Sequence, residues 1–229
     1  MASNTWRGAA LVAAACAWGL TPSRDVRACG NEVERRVDPR VEAVAAAERL
    51  VADGKAAAAA KKVLTIDPAA TKRAIGGEPL ADRELVVLAR AAVRSQGRVY
   101  HGHTGADPTL EERAQAVRWA TQVFKEVRKR RGDDPAVLTD LAEAQSYLPE
   151  LRHEALAVLI SLEKRDVVAT AQGYAALASL RLEQAKASSA QRKAPLALMG
   201  RYTRELELTR CKQMAKDAAV CDRAAELGS

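Results

Sequence analysis

Two histidines flank a glycine in Tyr100-His101-Gly102-His103, and Asp107 follows in the same glycine-rich stretch. Imidazoles and carboxylates are the groups that hold a divalent metal, so His101 and His103 are the candidate metal ligands of this sequence. A zinc site needs three or four ligands, and His153, the remaining histidine, falls on a separate helical segment. The motif therefore reads first as a solvated loop, and no metal or other cofactor is assigned to it. Nucleophilic catalysis has no visible basis: there is no G-x-S-x-G, no nucleotide-binding loop and no recognisable Ser-His-Asp pattern. Glu111 and Glu112 are adjacent carboxylates, but they fall where a helix begins, and negative charge is favoured there in any case. No catalytic residue is assigned, and the chain reads as a non-enzyme. An enzyme with a site around His101 and His103 is the alternative.

Cysteine is the other reactive type, at positions 16, 29, 211 and 221. Its meaning depends on the N-terminus. Arg7 supplies a positive start, Gly8 to Leu20 is an apolar run of 13 residues, and a polar spacer leads to Val26-Arg27-Ala28-Cys29. That order is the order of a secretory signal. The run is shorter than the ~20 residues a membrane-spanning helix needs. Val26 and Ala28 are small enough for the −3 and −1 positions of a signal peptidase, so cleavage is expected after Ala28, giving a signal peptide at 1–28 and one domain at 29–229. Cys29 would then be the first mature residue. One use for it is a lipid anchor, against which stand Arg27 at the −2 position and the early end of the apolar run. The other is a disulfide, favoured in an oxidising compartment. Cys211 and Cys221 have no Gly or Pro between them. On one continuous helix they would lie about 15 Å apart, beyond the roughly 7 Å a bridge spans. The expectation is that Cys29 pairs with Cys211 or Cys221 and leaves the other free.

Alanine dominates an apolar fraction of 48%, and aromatic residues are only 3%. Few Gly or Pro, 28% charged residues and a wealth of strong helix formers point to an all-α chain. Helices are expected at about 40–52 and 55–66, separated by Asp53-Gly54, then at 82–96, 109–131, 135–148, 150–164, 167–186 and 195–227. Gly200 is the weak point of the last, and SSAQRKAP before it reads as a loop. Thr109 and Glu112 form a capping box. Leu110, Ala114, Val117, Thr121 and Phe124 mark one buried stripe on the helix that follows.

The net charge of +7 is spread among interleaved acids, and part of it belongs to the leader. A nucleic-acid surface needs a concentrated stripe, so no nucleic-acid partner is expected. The densest basic run, Lys125-Glu-Val-Arg-Lys-Arg-Arg131, ends a helix, where cations complement the dipole.

Two segments align at a displacement of 34 residues, LTDLAEAQSYL at 138–148 and QGYAALASLRL at 172–182. Together with the Asp53-Gly54-Lys55 turn, the small Ala59, Ala144 and Ala155, the closing Ile66-Asp67-Pro68 and the Tyr174-Ala-Ala-Leu-Ala run, this resembles the tetratricopeptide repeat. The resemblance covers 40–68 and 136–186, and Ala56 and Val63 stand at the usual aromatic positions of the first unit. It implies stacked helical hairpins in a right-handed array, here with a long C-terminal helix, and a concave groove that binds a protein or peptide. The resulting expectation is an exported, periplasmic or extracellular scaffold of the cell envelope. A lipoprotein with the same body, on the membrane only if Cys29 is lipidated, is the rival.

Overall fold

The computed structural model describes residues 38–99, 107–191, 195–215 and 219–226, with backbone alone at 188–191, 195–203 and 223–226. All belong to one compact unit, Val37–Ser229. Among the described residues there are nine α-helices, two short 3-10 turns and no strand. The helices are α1 (Pro39–Ala52), α2 (Ala56–Ile66), α3 (Pro79–Arg94), α4 (Leu110–Arg131), α5 (Pro135–Ser146), α6 (Arg152–Lys164), α7 (Ala171–Gln191), α8 (Pro195–Met214) and α9 (Ala219–Glu226). The fold is all-α, as expected.

Local chemistry explains the element ends. Asp38 and Asp134 each accept a bond from the backbone N–H two residues on, and proline occupies the first helical position of α1 and α5. Thr109 and Glu112 cap α4 reciprocally, with Thr109 Oγ1 accepting from Glu112 N at 3.2 Å and Glu112 Oε2 accepting from Thr109 N at 2.7 Å. Helix α1 ends where Gly54 turns left-handed (φ 77°) and Lys55 N donates back to Leu50 O. Helix α3 ends in two left-handed residues, Gln96 (φ 54°) and Gly97 (φ 76°), and Gly97 N donates to Ala92 O. A side chain at Gly97 would put its Cβ 2.3 Å from Arg113 O, so only glycine lets the end of α3 meet the start of α4.

The helices form successive hairpins, α1–α2, α3–α4, α5–α6 and α7–α8. Each of α1, α3, α5 and α7 also packs on the next of that set, and α9 continues the pattern by packing on α7. Four apolar clusters follow the stack. One joins α1, α2 and α3 through Ala47, Ala59, Val63 and Val87. The next joins α3, α4 and α5 around Leu85 and Phe124, and the half-buried Trp119 touches both. A third joins α5, α6 and α7 through Ala142, Ala155, Leu159 and Leu177. The last brings α7 against α8 and α9. Ala59 and Ala155 are fully buried, as the hairpin alignment requires. Gly173 allows α7 to approach α5, since a Cβ there would lie 2.5 Å from Thr139 Cγ2.

Four expectations are corrected. The C-terminal segment is not one helix: α8 stops at Met214 and α9 starts at Ala219, while Gly200 lies inside α8. Cys211 and Cys221 consequently come within 5.9 Å (Cα to Cα) and form a disulfide with each other. The expected pairing of Cys29 with Cys211 or Cys221 therefore fails, because it assumed a continuous helix and a 15 Å gap. Absence of Gly and Pro did not keep the helix going; both cysteines are buried where α8 meets α9, and Lys212 pairs with Asp222 beside them. The serines of the presumed loop after 187 instead continue α7. Finally, Leu110 is 83% exposed. At 22 residues α4 outruns its 16-residue partner α3, so the buried stripe begins at Ala116.

Candidate functional site

A cleft of about 170 Å³ crosses the stack on the side where α1, α3 and α5 end. Gly54 and Gln96, the left-handed caps of α1 and α3, border it on one side, with Arg94 behind them. Helix α5 supplies Glu143, Ser146 and, just past its end, Tyr147. The far wall is α7, which presents Gln172, Ser179 and Glu183 among Ala175, Ala176 and Leu180. Val220 of α9 closes one end, and Arg152 of α6 stands beside Ser146. Small apolar and neutral polar groups therefore alternate around a charged floor.

Of that charge, Arg94 and Glu143 belong to an ion-pair cluster between α3 and α5 whose other members, Arg90 and Asp140, do not line the cleft. Arg90 donates to Asp140 Oδ2 from Nε at 2.9 Å and from Nη2 at 2.6 Å. Arg94, whose side chain is 9% exposed, donates from Nη1 to Val51 O in the last turn of α1. Its Nε lies 3.4 Å from Glu143 Oε1, and its Nη2 lies 4.0 Å from Asp140. The Glu143 side chain is 5% exposed. Burial pushes its carboxyl above the ordinary range, with Arg94 opposing that rise. Arg152 donates from Nε to Ser146 O at the end of α5 and pairs with Glu183 Oε2 at 3.1 Å.

Two further ion-pair clusters hold neighbouring hairpins together. At the first interface Arg40 of α1 grips Glu84 of α3 with two bonds of 2.7 and 2.8 Å, and Arg73 meets Asp67 at 2.7 Å. At the last, Arg181 of α7 donates to the buried Glu207 of α8, and Arg210 pairs with Glu163 while lying over the Tyr174 ring. Burial likewise pushes the Glu207 carboxyl upward, with Arg181 opposing.

The residues singled out from the sequence lie elsewhere. Ala28, Cys29, His101 and His103 fall outside the described residues. His153 is exposed on α6, and Asp107 lies 3.7 Å from Arg113. Among the described residues no group of three or more His, Cys, Asp or Glu is placed to hold a metal. Glu112 serves its cap, and Glu111 pairs with Arg118. The basic run borders a second, more open groove with Leu141 and Val158. Its charges are largely answered nearby: Arg128 by Asp133, Lys129 by Glu126, and Arg130 by the carbonyl of Ile75.

Sequence reasoning missed the cleft altogether. The one local signal was the left-handed turn after each of α1 and α3, marked by Gly54 and by Gly97. Comparison with known proteins finds no matching family model, no matching curated protein and no matching solved structure. No helix among the described residues is long and apolar enough to cross a membrane. The Cys211–Cys221 bridge fits an oxidising, exported location.

Proposed function

We propose that this chain is an exported helical scaffold of the cell envelope that docks a protein or peptide partner in the α7 cleft, without catalytic chemistry of its own. The cleft carries the reading. Gln96 and Gln172 can both donate to and accept from a polypeptide backbone, Ser146 and Ser179, whose hydroxyls donate to Glu143 O and Ala175 O, can accept from it, and Ala175, Ala176 and Leu180 between them take apolar side chains. The stacking of α1, α3, α5, α7 and α9 supports the resemblance to tetratricopeptide repeats, and the disulfide supports export. The test is capture from envelope extract with the whole chain and with Ser179→Phe, which fills the cleft. A partner retained by the native chain and lost by the variant is the expected result. Equal capture by both moves docking away from the cleft.

A second reading is favoured by one observation. With Cys211 and Cys221 bonded to each other, neither is left to pair with Cys29, which strengthens the lipid-anchored form of the same scaffold. Mass analysis of the N-terminal peptide from the purified protein tests it. A diacylglyceryl group on Cys29 establishes the anchor, and an unmodified Cys29 excludes it.

A further inference from the structure

We infer that Glu143 is the anchoring carboxylate of the cleft and that the partner segment docked there carries a lysine or arginine side chain onto it. This rests on the docking reading above and narrows its partner class.

Five carboxylates are buried among the described residues: Asp67, Glu84, Asp140, Glu143 and Glu207. Four have an arginine within hydrogen-bond distance inside the fold. Asp67 has Arg73, Glu84 has Arg40, Asp140 has Arg90, and Glu207 has Arg181. Glu143 is the exception. Its ion-pair contact, Arg94 Nε, stands at 3.4 Å, beyond the usual limit of about 3.2 Å for a good N–H···O bond. Glu143 is also the one of the five that lines the cleft. A buried carboxylate short of donors costs free energy that a cationic donor from outside recovers, and charge-assisted bonds are the strong ones.

The field in the cleft has the same sign preference. The C-terminal ends of α1, α3 and α5 border it, and those ends carry the negative pole of the helix dipole. Its two cations are already committed to them, Arg94 to Val51 O and Arg152 to Ser146 O and Glu183. An anionic ligand would sit against Glu143 and Glu183; the Nε of Arg94, which makes no hydrogen bond, is buried out of its reach, and the more exposed Arg152 already pairs with Glu183. A basic side chain instead places its head at Glu143 and its methylene stem along Ala175, Ala176 and Leu180.

Selection of a random peptide library on the immobilised full-length chain tests this, with Glu143→Gln and Ser179→Phe selected in parallel. The expected result is enrichment of Lys or Arg at one position on the native chain, lost on Glu143→Gln. Changing that residue to norleucine in the best peptide should weaken binding to the native chain by about ten-fold or more, the worth of one charge-assisted hydrogen bond. The same change should matter little to Glu143→Gln. If that variant does not fold, the norleucine comparison on the native chain decides alone. Peptides that bind the native chain, fail on Ser179→Phe and show no basic preference overturn the inference and leave the docking reading standing. No peptide bound at all overturns both. Free putrescine competing as well as the best peptide overturns the peptide source.

Discussion

Severing the Cys211–Cys221 bridge should release α9 and little else. The two cysteines are ten residues apart in sequence, and closing a loop of that size in the unfolded chain is worth about 2.8 kcal/mol on chain-entropy grounds. Helix α9 has eight residues, too few to persist in water unaided. It is held by contacts of Val220 and Cys221 with the α7–α8 hairpin and by the bridge itself. Loss of the bridge therefore falls on α9 first. About 2.8 kcal/mol is roughly a hundred-fold in an opening equilibrium, so amide exchange across 219–226 should speed up by about that factor. Cys211→Ala with Cys221→Ala, and the reduced native chain beside it, separate the cross-link from the buried sulfurs. Were the loss shared by the whole fold, the melting temperature would fall by roughly 6–11 °C; a local release gives less. Unchanged exchange in α9 after reduction, or a loss spread evenly through α1 to α7, would refute the reasoning.

Other outcomes follow from single sites. Ala59→Leu and Ala155→Leu each overfill a fully buried helix contact and should cost about 1–3 kcal/mol by chemical denaturation; two unmoved curves would mean the hairpins do not stack as described. Thr109→Ala removes a reciprocal cap and should cost about 1 kcal/mol, read in the same assay. Asp140→Ala leaves Arg90 and Arg94 without their shared partner and should cost about 3–5 kcal/mol; a loss below 1 kcal/mol would show the pair to be idle. Burial holds Glu143 above its ordinary range, so above about pH 4.3 the folded chain keeps a proton that the unfolded chain has released. Stability from this group is thus lost as pH rises through the window between the two values. Thermal melts at several pH values should show the native chain gaining on Glu143→Gln as pH falls, and a flat difference would contradict the assignment.

What could be read from sequence was whatever is decided within a few residues. Thr109 and Glu112 announce the start of α4 because a cap is made with groups three positions away. Gly54 announces the end of α1 because the left-handed turn is local. Ala59 and Ala155 were legible because a helix crowded on two sides selects the smallest side chain. Leu110 misled because its spacing fits the buried stripe, while its burial depends on whether α3 reaches that far, which no local pattern encodes. The break between α8 and α9 was hidden for a related reason. Helices α8 and α9 are held together by Cys211–Cys221 and Lys212–Asp222, contacts that one continuous helix would not allow. The ion-pair cluster beside the cleft was invisible, since Arg90 and Asp140 are fifty residues apart and look in sequence like ordinary surface charges.

Those distant charges also answer a problem that the composition sets. A core rich in alanine offers few large knobs, so one helix can slip along the next by a turn while losing little apolar contact. Slippage is not cheap where a buried carboxylate must meet one arginine. Moving α3 against α1 by one turn, about 5.4 Å, would strip Glu84 of both bonds from Arg40; moving it against α5 would do the same to Asp140 and Arg90. Each such loss leaves a charge in the interior at a cost of about 3–5 kcal/mol, more than an alanine contact can return. Ion pairs at successive interfaces thereby fix a register that the apolar surface leaves loose. Glu143 lies one turn from Asp140 on the same helix and at the same interface, yet its hold is the looser one: Arg94 reaches it from Nε at 3.4 Å while Nη1 of the same guanidinium goes to the carbonyl of Val51. A carboxylate buried at that cost, opening on a cleft and held only loosely within the stack, is the group left over for a partner.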